Sequence, residues 1–167
     1  MSFTLDVWHH TGRADGATSQ PTTVYTEPEL ERLLDTLLQR DQPNPPVLVA
    51  RERTRYEGTE EPDHLVKIDM CARAGIGAIL ILGPRDIVPP DAPDHAHLDP
   101  QGGVWVTQAH DTTVPGDAPP LYIDKATLTE FPRDAALPLD VWRAALREFM
   151  RTGLRPGTVS WQPSEVY

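Results

Sequence analysis

Two histidines and an aspartate at alternate positions, His95, His97 and Asp99, are the residues of this chain whose types and spacing most suggest a metal site. Two imidazoles that are two residues apart can reach one metal ion. A nearby carboxylate can bind a second ion or hold a bridging water. This stretch therefore raises one candidate function, a small metal-dependent hydrolase that uses all three residues.

The rest of the sequence argues against that hydrolase. His95-Ala-His97-Leu-Asp99 resembles the start of the HxHxDH signature of metallo-β-lactamase-like hydrolases, but Pro100 stands where the signature has its final histidine, and that fold needs a longer chain. The four other histidines form no second clustered motif. A zinc site needs three or four converging ligands and a second shell. We therefore favour a proline-stiffened surface loop, and predict no metal, no cofactor and no catalytic residue, with the hydrolase kept as an alternative.

The charge of the chain excludes several classes of partner. The formal net charge is −10, and the segment from Thr59 to Asp124 holds eleven acids against Lys67, Arg73 and Arg85. A nucleic-acid binder needs a basic surface to neutralise phosphates, and an anionic membrane would also repel this chain. The acidity favours either simple solubility or a basic protein partner. If there is an acidic binding face, we expect it in the middle of the chain.

The sequence also indicates the cellular compartment. Cys71 is the only cysteine, so no internal disulfide can form. The start, MSFTLDVWHH, lacks the features of a signal peptide, and the longest apolar run, Ile76 to Leu82, is too short to span a membrane. We therefore expect a cytoplasmic protein that does not enter a membrane.

Two segments have the spacing of amphipathic helices. Thr26 and Glu29 have capping-box spacing, and a stripe of leucines follows from Leu30 to Leu38. The second segment begins near Pro138 and ends at Gly153, a residue that suits a helix C-terminus. Its apolar face predicts core positions, and its arginines at positions 143, 147 and 151 are predicted on the outer face.

The remaining apolar segments either alternate with polar residues or, as in Ala78 to Gly83, form short continuous apolar runs, and both patterns indicate strands. The predicted strands are Phe3 to Val7, Val47 to Arg51, His64 to Cys71, Ala78 to Gly83, Val104 to Gln108, Leu121 to Phe131 and Thr158 to Gln162. We see no linker that would divide the chain, so residues 1–167 are predicted as one domain. The order of elements favours an α+β fold, a mostly antiparallel sheet of about six to seven strands with two helices packed on one face.

The last third of the chain carries a more specific signal. Between Glu130 and Gln162 it holds the motifs Phe131-Pro132, Leu137-Pro138, Arg143 to Phe149, Thr152-Gly153, Arg155-Pro156 and Trp161-Gln162. This series resembles the C-terminal signature of the Imm1 family of bacterial immunity proteins. The leucine-rich first helix also fits the layout of that family.

The resemblance implies a binding function rather than catalysis. Proteins of this family are encoded beside polymorphic or contact-dependent toxins and protect the producing cell by binding the toxin domain. Imm1-type proteins are associated with toxins of the nucleic-acid deaminase class. Such an enzyme binds a polyanion in an open pocket that holds a zinc-activated water and a glutamate. An acidic protein can block that pocket by standing in for the phosphate backbone.

The residues expected at the toxin interface combine the acidic loops with two aromatic side chains. Aromatic residues often dominate the energy of an interface, although an aromatic in a predicted strand is more often part of the core. The candidates are Glu60, Glu61, Asp63, Asp91, Asp94, His95, His97, Asp99, Trp105 and Tyr122. The remaining alternative is an adaptor domain that presents the same acidic face to another basic protein.

Overall fold

A computed structural model describes residues 2–10, 20–110 and 114–167. The strands are β1 (Leu5–Trp8), β2 (Thr22–Val24), β3 (Val47–Ala50), β4 (Leu65–Cys71), β5 (Ile76–Gly83), β6 (Gly103–Gln108), β7 (Tyr122–Asp124), β8 (Thr129–Glu130), β9 (Leu137–Pro138) and β10 (Ser160–Pro163). The helices are α1 (Glu27–Leu38) and α2 (Leu139–Thr152). Single 3₁₀ turns lie at Arg85–Ile87, His95–His97 and Arg133–Ala135.

One antiparallel sheet positions every loop discussed below. Its strands lie in the order β10-β6-β5-β4-β3-β1-β2, and β9 pairs with β5 beyond the end of β6. β7 and β8 form a separate two-stranded sheet. The longest pairing joins β4 and β5, from Leu65 opposite Leu82 to Cys71 opposite Ile76. The predicted α+β class with a mostly antiparallel sheet is confirmed.

The sheet is covered on both faces, because successive side chains of a strand point to opposite sides. Ile79 and Ile81 of β5 belong to the core formed with both helices, which includes Leu30, Leu33, Leu34, Leu37, Trp142, Leu146, Phe149 and Met150. Ala78 and Leu80 belong to a second core with the β7–β8 hairpin and Phe131. Both helices therefore pack on one face of the sheet, as the sequence predicted.

Local sequence signals explain where the helices begin and end. The Thr26 hydroxyl accepts a hydrogen bond from the Glu29 N–H at 3.3 Å, and the Glu29 carboxylate accepts one from the Tyr25 N–H at 2.7 Å. Gly153 ends α2 with φ of 64°, and a Cβ there would lie 2.6 Å from the Phe3 ring. Neither helix in the described ranges is long and apolar enough to cross a membrane.

Three parts of the sheets differ from the sequence prediction: the β7–β8 hairpin, β2 and β9. Leu121 to Phe131 was predicted as one strand, which is wrong, because β7 and β8 are joined by a turn. In that turn the Asp124 carboxylate accepts the Ala126 N–H at 2.8 Å, and Leu128 has φ of 57°. β2 and β9 were not predicted at all, since three and two residues are too few to show an alternating pattern.

Candidate functional site

The two acidic segments predicted to bind a partner leave the sheet at the same end. Residues 51–64 connect β3 to β4, and residues 84–102 connect β5 to β6; we call these two segments the acidic loops. Leu65 pairs with Leu82, and Gly83 pairs with Gly103, so the first loop ends and the second begins side by side at one end of the central strands. The fold thus brings together residues that are separated by about thirty positions in the sequence.

Arg53 joins the two acidic loops. Its guanidinium pairs with Asp63 in its own loop at 3.1 Å and with Asp86 in the other loop at 2.9 Å. It also donates to the Gly153 carbonyl at the end of α2, at 3.1 Å. Arg53 and Asp63 are both buried side chains. Asp63 therefore positions the loops from inside and does not present its carboxylate to solvent.

His64, beside Asp63, is a buried histidine in its neutral form. The Ala50 N–H donates to Nε2 at 2.9 Å, so Nε2 carries no proton, and Nδ1–H donates to the Asp63 carboxylate at 2.7 Å. Burial lowers the pKa of His64, while Asp63 opposes that shift. His64 is accordingly a structural group that links β3 to the start of β4.

The second loop is held by Arg155, a residue that the sequence did not single out for the site. Both Arg155 Nη atoms bind the Asp94 carboxylate, at 3.0 and 2.5 Å. The guanidinium carbon lies 5.1 Å from the ring centre of Trp105 and 5.7 Å from that of Trp161. Hydrogen bonding from Arg155 lowers the pKa of Asp94, against the opposing effect of burial. Asp94 therefore anchors the loop to the sheet edge.

The residues of the metal alternative do not converge. His95 and His97 lie in one 3₁₀ turn, with His95 half-buried and His97 exposed. Asp99 is exposed, and its carboxylate accepts the Gln101 N–H at 2.8 Å. Within residues 2–10, 20–110 and 114–167, no group of three or more histidine, cysteine, aspartate and glutamate side chains could hold a metal ion. The described geometry gives the hydrolase alternative no support.

Several acidic side chains of the loops point into solvent. Exposed carboxylates that form no ion pair with any described residue are Glu52, Glu57, Glu60, Glu61, Asp91 and Asp99; that of Glu52 accepts the Thr4 N–H. Among the loop arginines, Arg51 pairs with Asp6 at 2.7 Å. Arg55 and Arg85 donate to the Glu60 and His95 carbonyls, at 2.8 and 3.4 Å, and form no ion pair with a described residue. The exposed unpaired carboxylates outnumber these two arginines, so the loops keep an excess of negative charge.

The two predicted aromatic anchors lie outside this exposed surface. Trp105 is only 5 % exposed and packs in the helix-side core. Tyr122 is half-buried in β7, where its N–H donates to the buried Asp69 carboxylate at 2.7 Å. Tyr56, which we did not predict, lies in the first acidic loop and is 55 % exposed. An aromatic residue within a run of glutamate, glycine and threonine was the signal that could have identified it.

The charges on the helices are arranged differently. Arg143 pairs with Glu31 at 2.6 Å and with Asp35 at 2.5 Å, and Arg147 also pairs with Glu31. Arg151 pairs with Glu27 at 2.9 Å. These arginines, predicted on the outer face of α2, thus lie against α1; we call this row of pairs the interhelical ion pairs.

We compared the sequence with protein-family models and with the curated proteins. The family model described as Immunity protein Imm1 matches residues 18–163. A search of the curated proteins found no match. The family match covers most of the chain, including both acidic loops, and so extends well beyond the C-terminal motifs that suggested it. The chain belongs to the Imm1 family of immunity proteins.

Proposed function

We propose that this immunity protein neutralises a cognate toxin by binding it through the acidic loops, without catalysing a reaction. The observation that carries the proposal is the group of exposed, unpaired carboxylates in residues 51–64 and 84–102. An exposed charge that forms no ion pair does not stabilise the folded protein, but it attracts an oppositely charged protein. The interhelical ion pairs have no such unpaired excess, which favours the loops as the binding surface.

The partner that fits this surface is a basic toxin domain that acts on nucleic acid, and we propose the deaminase class. A deaminase must attract a polyanion and leave its pocket open to a flipped or single-stranded base. Glu57, Glu60 and Glu61 in one loop, and Asp91 and Asp99 in the other, would occupy the region that binds phosphates. Their charge would also speed capture of the toxin in the cytoplasm of the producing cell.

The predicted interface residues then divide by role. Glu60, Glu61, Asp91 and Asp99 supply charge, and the exposed Tyr56 provides an aromatic anchor in the first loop. We propose that the half-buried His95 and the exposed His97 hydrogen-bond to the toxin from the second loop. Asp63 and Asp94 hold the loops in place through Arg53 and Arg155, and Asp63 is too buried to contact the toxin. We assign Trp105 the same supporting role, and we assign Tyr122 no role in the toxin-binding surface.

The proposal is tested by expressing this protein together with its toxin domain, which we expect to be encoded immediately upstream of its gene. We expect a complex that survives size-exclusion chromatography, restored growth of cells that carry the toxin, and loss of deaminase activity on DNA and RNA oligonucleotides. A folded immunity protein that neither binds the toxin nor protects the cells would refute the proposal. A complex with a toxin of another activity would keep the binding function and refute the deaminase class.

A further inference from the structure

A cleft lies beside the sheet edge formed by β10. Its volume is about 430 Å³, and it separates residues 89–94 of the second acidic loop from residues 155–161, which lead into β10. Asp91 and Asp94 line one side, and Ser160 and Trp161 line the other. The cleft is thus open to a segment that runs alongside the last strand of the sheet.

Arg155, which lines the cleft, has a buried hydrogen-bond donor without an acceptor among the described residues. Arg155 is 3 % exposed and lines the cleft, and its two Nη atoms are used by Asp94. Its Nε–H has no hydrogen-bond partner among the described residues. A buried N–H that lacks an acceptor is costly, so an acceptor supplied by a bound molecule would be favourable here. Because Asp94 already neutralises the guanidinium, a neutral carbonyl oxygen suits this position better than a second carboxylate.

The backbone of β10 offers further hydrogen bonds. Ser160 pairs with Gln108, and the Ser164 N–H donates to the Val104 carbonyl at 2.8 Å, so the even-numbered residues of this segment bond to β6. The N–H and carbonyl of Trp161 consequently point away from β6. The Trp161 N–H has no acceptor among the described residues, and β10 ends the sheet on that side. An edge of this kind accepts an added strand.

We infer that this cleft binds an extended, basic segment of the toxin, which pairs with β10 at Trp161 and places a lysine or arginine against Asp91. The inference rests on the proposed function and adds the form and chemistry of the partner. Asp91 is exposed and forms no ion pair with a described residue, so the lining carries an excess negative charge. Pro163 has no N–H, which limits the added strand to a few residues near Trp161.

Amide hydrogen exchange of Trp161 tests the strand pairing directly. In the complex with the toxin domain, we expect the Trp161 amide to exchange at least about tenfold more slowly than in the free protein. The Gln162 amide is the internal control, because it already bonds to β6 and should change much less. Equal slowing of both amides, or an unchanged Trp161 amide in a saturated complex, would refute strand pairing.

A matched pair of variants tests the charge preference. Asp91→Lys should weaken toxin binding by about tenfold or more, as like charges meet in the cleft. Asp117→Lys makes the same change of net charge at an exposed position outside the cleft, and should have little effect. Equal effects of the two variants would overturn the assignment of a basic segment to this cleft. If the toxin binds but both tests fail, only the inference about this cleft is refuted. If no toxin binds, the proposed function is refuted as well.

Discussion

The interhelical ion pairs and the acidic loops use the same residue types in opposite ways. Across the helices, Arg143, Arg147 and Arg151 face acids of α1, so that each cation has an anion beside it. In the acidic loops, Asp63, Asp86 and Asp94 are paired with the buried side chains of Arg53 and Arg155, but most of the exposed carboxylates remain unpaired among the described residues. The interhelical ion pairs therefore present little net charge to a partner, whereas the acidic loops produce a negative potential.

This difference shows why net charge alone does not locate a binding surface. The formal charge of −10 belongs to the whole chain, but much of it is balanced locally. A partner in solution responds to the charge that is both exposed and unpaired, because salt bridges already satisfied on the surface contribute little to its approach. Changes made in the two regions should therefore affect different measurements.

The largest expected effect follows from reversing charge in the acidic loops. The triple variant Glu60→Lys, Glu61→Lys and Asp91→Lys should slow toxin association about 100-fold at low ionic strength. Its thermal stability should change little, since these side chains are exposed and unpaired among the described residues. Stopped-flow binding at several salt concentrations measures the rate.

The matched control places the same reversals outside the acidic loops, at Asp41, Asp117 and Glu130, which are also exposed. This variant has the same net charge as the first but keeps the loop carboxylates. Association should remain within a few-fold of the wild type. If both variants slow association equally, the total charge rather than the loop surface attracts the toxin.

The second prediction concerns the arginine that supports one of those loops. Arg155→Ala removes both bonds to Asp94 and the contacts with Trp105 and Trp161. The loss should be about 2 kcal/mol, roughly 30-fold in the unfolding equilibrium, less than for a fully buried pair because the Asp94 side chain is 42 % exposed. Urea denaturation provides the measurement. Asp94→Asn, which keeps the aromatic contacts, should cost less; an equal cost would mean that the aromatic contacts contribute nothing.

The third prediction uses the lowered pKa of His64. The unfolded chain binds a proton to this side chain more readily than the folded protein does, so the free energy of unfolding should decrease as pH falls below about 6.5. The decrease contributed by one such group is at most about 1.4 kcal/mol per pH unit, a tenfold change. Denaturation between pH 7 and pH 5 measures it, and His64→Gln should have a flatter profile. Equal profiles would show that other groups cause the pH dependence.

The sequence predicted the helices well because the signals that form them are local. Thr26, Glu29 and the leucine stripe lie within a few turns of one another, and each acts on its own helix. The long central strands were predicted for the same reason, since β4 alternates along its seven residues and β5 contains a continuous apolar run. The turn between β7 and β8 was not predicted, because its residue at positive φ is Leu128 and not a glycine, which would have indicated a turn.

The candidate site was harder to predict because exposure depends on partners that are distant in the sequence. Glu61 and Asp63 are nearly adjacent acids, yet only Asp63 meets the buried Arg53. Trp105 and Tyr56 are both aromatic, and the pairing of β6 buries one while the loop exposes the other. Composition indicated which part of the chain is acidic, but tertiary contacts determine which side chains a partner can reach.

The smallest expected effect belongs to the interhelical ion pairs. Arg147→Ala removes one of the two arginines that bind Glu31 and should lower the free energy of unfolding by about 0.5 to 1 kcal/mol, a few-fold change. A double-mutant cycle with Glu31→Gln measures the coupling between the two side chains, which should shrink in 1 M NaCl. Toxin association should be unchanged, since this pair adds no unpaired charge to the surface. If Arg147→Ala instead slowed association as strongly as reversal of the loop acids, the helices and not the acidic loops would be the binding surface.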